Sequence, residues 1–533
     1  MLVLLPVIVL FVAAATLVVG QRLRLSFGIA WLSTSALTLA LWGYFLFLRF
    51  SPQAPFSISG WRPLEGDASV LLFALDGISW PYAFALVSLL VGVILTASAR
   101  LALDTSPWAW AGSVAITGAG LLAIMAGNPL TLILSWTIID LVELGVIIRS
   151  ARTSSQAQQA VIAFAARVGG TLMAVFALVL SRWRGELLIF SEVLPEVGVF
   201  LLLAAGLRLG VVPLYLPYTH EVRMRRGLGT VLRLVAPASA LPVLSRLPPT
   251  VAPPDLAVFL LVFSALAALY GSAMWLSARD ELNGRPYWLI SLAGMAVGSS
   301  IRGHPDAALA WGITLLLAGG TIFLFTARRR SMLPLPMLAL VGLSGLPYTP
   351  SASGWVGLVV LPFNVLDILS IAAHSLLLLG FLRHFLAARD DLAQMERWIQ
   401  VMYPFGLLLT VVSYWLSGII GWQGSLTLGI WWGAAASTLI ATGGAHLLLR
   451  YLHAVELNEH LSNWAIVSIR STGRVLSLIF RLDWVYRFFW SIYRLVQRLV
   501  RFLTVILEGD GGVLWALVLL ALLATLLYPG AMQ

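Results

Sequence analysis

Ionisable side chains occur inside long apolar stretches of this sequence. Asp140 and Glu143 stand three residues apart, which puts them on nearly the same face of a helix. Arg167, Arg208 and Arg233 lie in other apolar stretches. A lone charge at the centre of a lipid bilayer costs about 3 kcal/mol or more, so each of these residues is a functional candidate. Acids and bases placed through a membrane can form a proton path, because such groups accept and release protons in turn.

The same charges also admit a structural explanation. Arg208 paired with Asp140 or Glu143 would neutralise two charges between packed helices without moving a proton. Arginine is a poor proton relay, because its guanidinium group stays protonated at physiological pH. In either case we expect Arg208 to lie within about 4 Å of one of the two carboxylates, because few opposite charges occur at a similar depth.

A second candidate pair occurs later in the chain. Asp367 and His374 are seven residues apart, so they share one face of a helix. Histidine exchanges protons near neutral pH, which makes His374 a candidate for proton transfer. The alternative is a histidine that is hydrogen-bonded in an apolar core.

The composition indicates that these residues are carried by membrane-spanning helices. Of the 533 residues, 60% are hydrophobic and 11% are charged, against about 25% charged in soluble domains. Apolar blocks such as 425–449 and 512–527 are long enough to cross a bilayer, which takes about 20 residues. Their continuity favours helices over a barrel. We therefore predict an all-α polytopic bundle of about 14 to 16 spans, with helices broken near Pro213 and Pro347.

The residue types that are missing exclude several classes of function. The chain has no cysteine, so it has no disulfides, no thiolate metal site and no iron–sulfur cluster. We expect no cofactor and no redox or catalytic chemistry in this chain.

Lysine is also absent, and 33 arginines give the net charge of +10. That excess is typical of loops facing anionic lipid, and it does not point to nucleic acid. Arginine is more frequent in loops after odd-numbered spans, which predicts an outward N-terminus in a bacterial cytoplasmic membrane.

The C-terminal region has a different pattern. Arginines and aromatic residues alternate through 474–503 at helical spacing. This pattern predicts an amphipathic helix that lies in the membrane interface, followed by one more span. We therefore divide the chain into a transmembrane domain, 1–455, and an interfacial helix with a final span, 456–533.

Five segments between about residues 70 and 360 carry recognisable motifs. They are Leu75–Ser79 with Asp76, Gly127–Trp136, Arg208–Pro213 followed by His220, Asp280–Gly294, and Ser344–Trp355 with Pro347. In order and spacing they resemble the antiporter-like membrane subunits of respiratory complex I, membrane-bound hydrogenases and multisubunit sodium/proton antiporters. The resemblance implies the fold of those subunits, with broken seventh and twelfth helices.

The chain departs from that family at its charged positions. Thr137 occupies the place of the fifth-span glutamate, and Asp140 follows one turn later. Arg208 stands where the family has its seventh-span lysine, and Trp311 stands near the eleventh-span lysine. The resemblance implies a carboxylate–lysine pair between the fifth and seventh spans, which Asp140 and Arg208 would replace. The departures leave proton conduction open.

The expected function is that of an antiporter-like subunit in a multisubunit bacterial membrane complex, related to the proton-translocating arm of NADH–quinone oxidoreductase. Its partners would be the lipid bilayer, other membrane subunits, and protons or sodium. One alternative is a structural subunit of such a complex that has lost conduction. Another is a standalone secondary transporter. The missing lysines favour reduced conduction, because lysine releases its proton more readily than arginine.

Overall fold

A computed structural model describes most of the chain. The described residues are 2–24, 26–51, 53–58, 70–100, 107–150, 154–212, 214, 226–327, 330–360, 362–387, 392, 395–422 and 426–455, with 487, 491, 494, 498, 517, 518 and 520. Two compact units, Met1–Leu476 and Ser477–Gln533, divide the chain.

The first unit is helical, as the composition predicts. Its α-helices are α1 (Leu5–Arg22), α2 (Phe27–Phe50), α3 (Ser79–Thr96), α4 (Pro107–Ile124), α5 (Pro129–Ser150), α6 (Ser154–Trp183), α7 (Pro195–Leu209), α8 (Arg226–Ala238), α9 (Leu241–Arg246), α10 (Pro254–Ser277), α11 (Glu281–Ile301), α12 (Pro305–Leu324), α13 (Pro334–Leu343), α14 (Val365–Leu386), α15 (Arg397–Ile420) and α16 (Trp431–Val455). Within the described ranges, 11 helical segments are long and apolar enough to span a membrane. The polytopic helical bundle is thereby confirmed.

Two helices form the centre of the bundle. The spanning segments of α3 and α12 are completely buried, and the two helices pack against each other. By contrast, α1, α2, α6 and α10 leave most of their spanning surface uncovered, including leucine and phenylalanine side chains. An apolar outer surface suits a bilayer, where lipid tails replace water.

Helix ends follow local sequence signals. Proline stands within the first two positions of α1, α7, α10 and α12, where its missing N–H breaks no helical hydrogen bond. The Asp280 side chain caps α11 by accepting from the Asn283 backbone N–H at 2.8 Å. At α14, Asn364 and Asp367 form a reciprocal capping box.

One span is interrupted beside a proline, and α7 ends shortly before another, so the predicted break near Pro213 stays a prediction. The last residue of α7 is Leu209, and Gly210 follows in the left-handed conformation with φ +75°. Pro213 itself lies outside the described residues. The twelfth span breaks as predicted: α13 ends at Leu343, the chain turns through Pro347, and a 3-10 helix, Ala352–Gly357, continues it. A further break, which we did not predict, separates α8 from α9.

A small two-stranded sheet precedes α3. Strand β1 (Phe56–Ile58) pairs antiparallel with β2 (Leu71–Phe73). The following Asp76 accepts hydrogen bonds from the Ser79 backbone and hydroxyl, each at 2.7 Å, and fixes the start of α3. Arg246, at the end of α9, binds the Asp76 carboxylate at 2.9 Å and the Ala126 carbonyl oxygen. This contact joins three parts of one rim of the bundle.

The Asp76–Arg246 pair should make stability sensitive to acid. Burial raises the pKa of the Asp76 carboxyl, but Arg246 and the hydrogen bonds from Ser79 outweigh it and hold that pKa below its ordinary value. The stabilisation is therefore present above about pH 4 and is lost as the pH falls through the lower, folded-state pKa. Because the carboxyl side chain is 46% exposed, we expect Asp76→Asn to cost less than about 1 kcal/mol at neutral pH. The melting temperatures of the unchanged protein and of Asp76→Asn should converge in acid. A difference between these two temperatures that stays constant below about pH 3 would contradict this assignment.

The second unit contains few described residues. Arg487, Ser491, Arg494 and Arg498 are helical and exposed, with spacings of four, three and four. This spacing puts them on one face of a helix. The rest of the proposed interfacial helix, 474–503, and almost all of the final span lie outside the described residues, so both stay predictions.

Candidate functional site

Three consecutive helices bring four charged side chains together. Arg208 on α7 binds both carboxylate oxygens of Asp140 on α5, with Nη1–Oδ2 at 2.7 Å and Nη2–Oδ1 at 2.8 Å. Arg167 on α6 lies 3.3 Å from Asp140 through Nε and 3.0 Å from Glu143 through Nη1. We call these four residues the charge cluster. Each is at most 2% exposed. The expected contact between Arg208 and Asp140 is present.

Arg208 has further contacts besides those with Asp140. Its Nη1 also donates to the Thr171 hydroxyl at 3.1 Å, and its guanidinium carbon stands 4.5 Å from the centre of the Trp136 ring. A planar guanidinium suits this site, because its fork matches a carboxylate and its face packs on an aromatic ring. Arg208 is therefore held on several sides within the apolar core.

A glycine on α6 allows the helices to approach. A Cβ atom at Gly170 would lie 2.8 Å from Cγ of Arg208 and 2.9 Å from the Ala204 carbonyl oxygen. A larger residue would push α7 away and lengthen the contact with Asp140. Gly170, Thr171 and the bridging position of Arg167 were not predicted. The spacing of Arg167 and Thr171, four residues on one helix face, was the available signal.

The family's fifth-span position does not join the charge cluster. Thr137 is exposed on α5, and its hydroxyl donates to the Ile133 carbonyl oxygen at 2.9 Å. Asp140, one turn later, points inward. Arg233, which we also proposed for the path, is buried on α8. Its role stays a prediction.

Asp367 and His374 have separate partners. Asp367, at the start of α14, accepts from the Asn364 backbone N–H at 2.9 Å and lies 3.1 Å from Nη1 of Arg302. It therefore begins a helix and neutralises an arginine. His374, two turns later, is fully buried and contacts Ser437 and Leu343. A direct exchange of a proton between Asp367 and His374 has no hydrogen-bonded route among these contacts.

The remaining family-motif positions serve structure where they are described. Asp76 and Asp280 start α3 and α11, and Pro347 lies at the α13 break. Beside Asp280, Glu281 pairs with Arg226 at 2.6 Å. His220 lies outside the described residues, as Pro213 does.

The charge cluster can fix charge more readily than it can move protons. Each carboxylate is bound by a guanidinium that keeps its proton, so the cluster contains no cation that can donate one. Within the described part of the chain, no three His, Asp or Glu side chains come together as metal ligands would. The geometry thus favours an electrostatic tie between α5, α6 and α7.

No protein-family model matches the chain, and no curated protein matches its sequence. Solved structures do resemble it. A chain of the Mrp complex from Dietzia sp. aligns with 96% of this chain, with a TM-score of 0.66 and 16% identity. A chain of the membrane-bound sulfane sulfur reductase, an archaeal respiratory membrane complex, aligns over 98% of this chain and 100% of its own length, with a TM-score of 0.68 and 14% identity.

Respiratory complex I from Thermus thermophilus gives a third match. It covers 78% of this chain and 98% of the matched one, with a TM-score of 0.57 and 15% identity. The chain has the fold of the antiporter-like membrane subunits. It spans 64% of the length of the Mrp-complex chain. At these identities the likeness concerns the fold, which the motifs between residues 70 and 360 predicted.

Proposed function

We propose that this protein is an antiporter-like membrane subunit of a multisubunit complex, and that its charge cluster holds fixed charges instead of relaying protons. The fold supports the first part, because the three solved structures described above come from membrane complexes. The bidentate contact between Arg208 and Asp140 is the observation that carries the second part.

Conduction through the charge cluster would depend on which of its groups can release a proton. A relay needs a base that loses its proton when the next one arrives. Arg208 and Arg167 keep theirs, and their guanidinium groups bind the carboxylates of Asp140 and Glu143. Two positive and two negative charges then balance at a depth where an unpaired charge is costly. The cluster would stabilise the first half of the bundle and leave ion transfer to other subunits.

Membership in a complex can be tested directly. The tagged chain, extracted from its native membrane in mild detergent, should purify with other membrane subunits. The same membrane is expected to be a bacterial cytoplasmic membrane, with the N-terminus outside. Purification of a stable, single chain that transports an ion unaided would instead favour a standalone transporter.

Conduction is tested in liposomes. Proton flux into vesicles containing the purified chain should be weak, and Asp140→Asn should leave it unchanged, because the carboxylate does not load. Flux is measured with an enclosed pH-sensitive dye. Glu196→Gln is the matched control, since Glu196 is 59% exposed and pairs with Arg184 at the surface. Strong flux that Asp140→Asn abolishes and Glu196→Gln preserves would overturn the fixed-charge proposal.

A further inference from the structure

His374 satisfies a carbonyl group that the break in α13 leaves without a partner. In a continuous helix the Leu343 carbonyl would accept from the residue four positions later, which is Pro347 and has no N–H. Nε2 of His374 lies 3.0 Å from this carbonyl oxygen. A carbonyl oxygen only accepts, so Nε2 must carry a hydrogen. The other ring nitrogen, Nδ1, is then the atom whose protonation can change.

Nδ1 faces a hydroxyl that can either donate or accept. It lies 2.9 Å from Oγ of Ser437 on α16, and this Oγ lies 2.9 Å from the Ala434 carbonyl oxygen. With neutral His374, the Ser437 hydroxyl donates to Nδ1. With charged His374, Nδ1–H donates to Oγ, and the Ser437 hydroxyl turns to the Ala434 carbonyl oxygen. Both states are fully hydrogen-bonded, and they differ by the rotation of one hydroxyl group.

The surroundings also favour a positive charge. The Leu343 carbonyl belongs to the last residue of α13, and a helix C-terminus carries partial negative charge that stabilises a cation such as protonated histidine. The rings of Trp311 and Trp355 pack edge-to-face with the imidazole, with centroids 5.5 and 5.0 Å from that of His374, and hold it in place. The contact with the Leu343 carbonyl offsets part of the cost of burying the charge.

The helices packed against α14 carry other ionisable groups. Helices α10, α11, α12, α13 and α16 pack against α14. With α14 itself and Arg302, which follows α11, they carry Asp255, Tyr270, Glu281, Arg285, Tyr287, Asp306, Asp367, Arg383, His384, His446, Arg450, Tyr451 and His453. Among the side chains that the structure describes, none of these groups hydrogen-bonds to His374. Its proton affinity is therefore set by its burial in the apolar core and by the contacts with Leu343 and Ser437.

We propose that His374 is a proton-binding site: Nδ1 takes up one proton from water, and the Ser437 hydroxyl reorients to the Ala434 carbonyl oxygen. The site joins the α13 break to α14 and α16, so its occupancy is communicated to three helices. It lies apart from the charge cluster and does not depend on whether the chain joins a complex.

The test is nitrogen NMR of the full chain in lipid bilayers, with ¹⁵N-labelled histidine. A bare imidazole nitrogen and a protonated one resonate far apart, and His374→Gln identifies the His374 signals by their loss. Glutamine retains an N–H donor for Leu343. Because the ring is buried and the charged form is therefore costly, Nδ1 should change from bare to protonated as the pH falls from about 8 to about 4. A signal that stays bare at about pH 4 overturns the proposal.

Ser437→Ala tests the hydroxyl switch. It removes the acceptor for Nδ1–H, and a hydrogen bond from a charged donor is worth more than one to a neutral ring, so proton affinity should fall about tenfold or more. The matched control is Ser375→Ala, because Ser375 is buried on α14 and donates to Ile371 in its own helix. Equal titration midpoints in the two variants would overturn the switch. If His374→Gln fails to fold, the signal that moves in Ser437→Ala alone provides the assignment.

Discussion

Arg208→Met should reduce the free energy of unfolding by about 3–5 kcal/mol. Methionine has a similar length but no charge, so the substitution leaves Asp140 buried without its two hydrogen bonds from Arg208. Removing one partner of a buried pair is costly because the remaining charge stays out of water. Arg167 still touches Asp140, at 3.3 Å, and keeps the loss from being larger. The measurement is thermal unfolding of the full chain in nanodiscs.

The control for this prediction is a second arginine–glutamate contact at the surface. Arg184→Met removes a pair whose side chains are 33% and 59% exposed, and it should cost less than about 1 kcal/mol. Arg208→Lys keeps the charge but loses the fork, so it should fall between the two. Equal melting temperatures for Arg208→Met and Arg184→Met would refute the stabilising role of the charge cluster.

Gly345→Ala should destabilise the protein by about 2–5 kcal/mol. Gly345 has φ +70°, in the left-handed region where an L-residue costs about 1–2 kcal/mol. Its added methyl group would also collide with the buried Trp355 ring, and overpacking costs about 1–3 kcal/mol. Because this turn sets the direction of the chain after α13, the damage should extend to the Leu343–His374 contact. Thermal unfolding measures the first effect, and the His374 nitrogen signals report the second.

A second left-handed glycine separates the two causes. Gly185 has φ +77° and open space around its Cβ position. Gly185→Ala should therefore show the backbone cost alone, about 1–2 kcal/mol. If Gly345→Ala lowers the free energy of unfolding no more than Gly185→Ala does, the added methyl group does not strain the packing of Trp355 against the turn. The turn after α13 is then more loosely packed than its contacts indicate.

The bundle and its main ion pair were predictable, because both follow from the cost of placing polar groups in lipid. Long apolar blocks require helices, and Arg208 required a nearby acid. The second contact of Arg167 was not predictable in the same way. An arginine in a span can turn toward several neighbours, and only the packing of α5, α6 and α7 decides which carboxylates it reaches.

Asp367 shows that two local patterns can overlap at one residue. Its spacing from His374 suggested an ion path, yet Asn364 three residues earlier already formed the pattern of a capping box. The structure uses Asp367 for that cap and for Arg302. The serine that faces His374 had no signal at all, because Ser437 is 63 residues away and becomes a neighbour only through the packing of α14 against α16.

The charge cluster has a mechanical consequence. Its contacts of 2.7 to 3.3 Å join the middle of α5 and α6 to the last turn of α7, and a relative slide of even one ångström would stretch several of them at once. Such contacts have no favourable substitute in hydrocarbon, so α5, α6 and α7 should move together as one rigid unit. A displacement at one end of this unit would be transmitted to its other end. A neighbouring subunit could then be moved without any ion crossing this part of the protein.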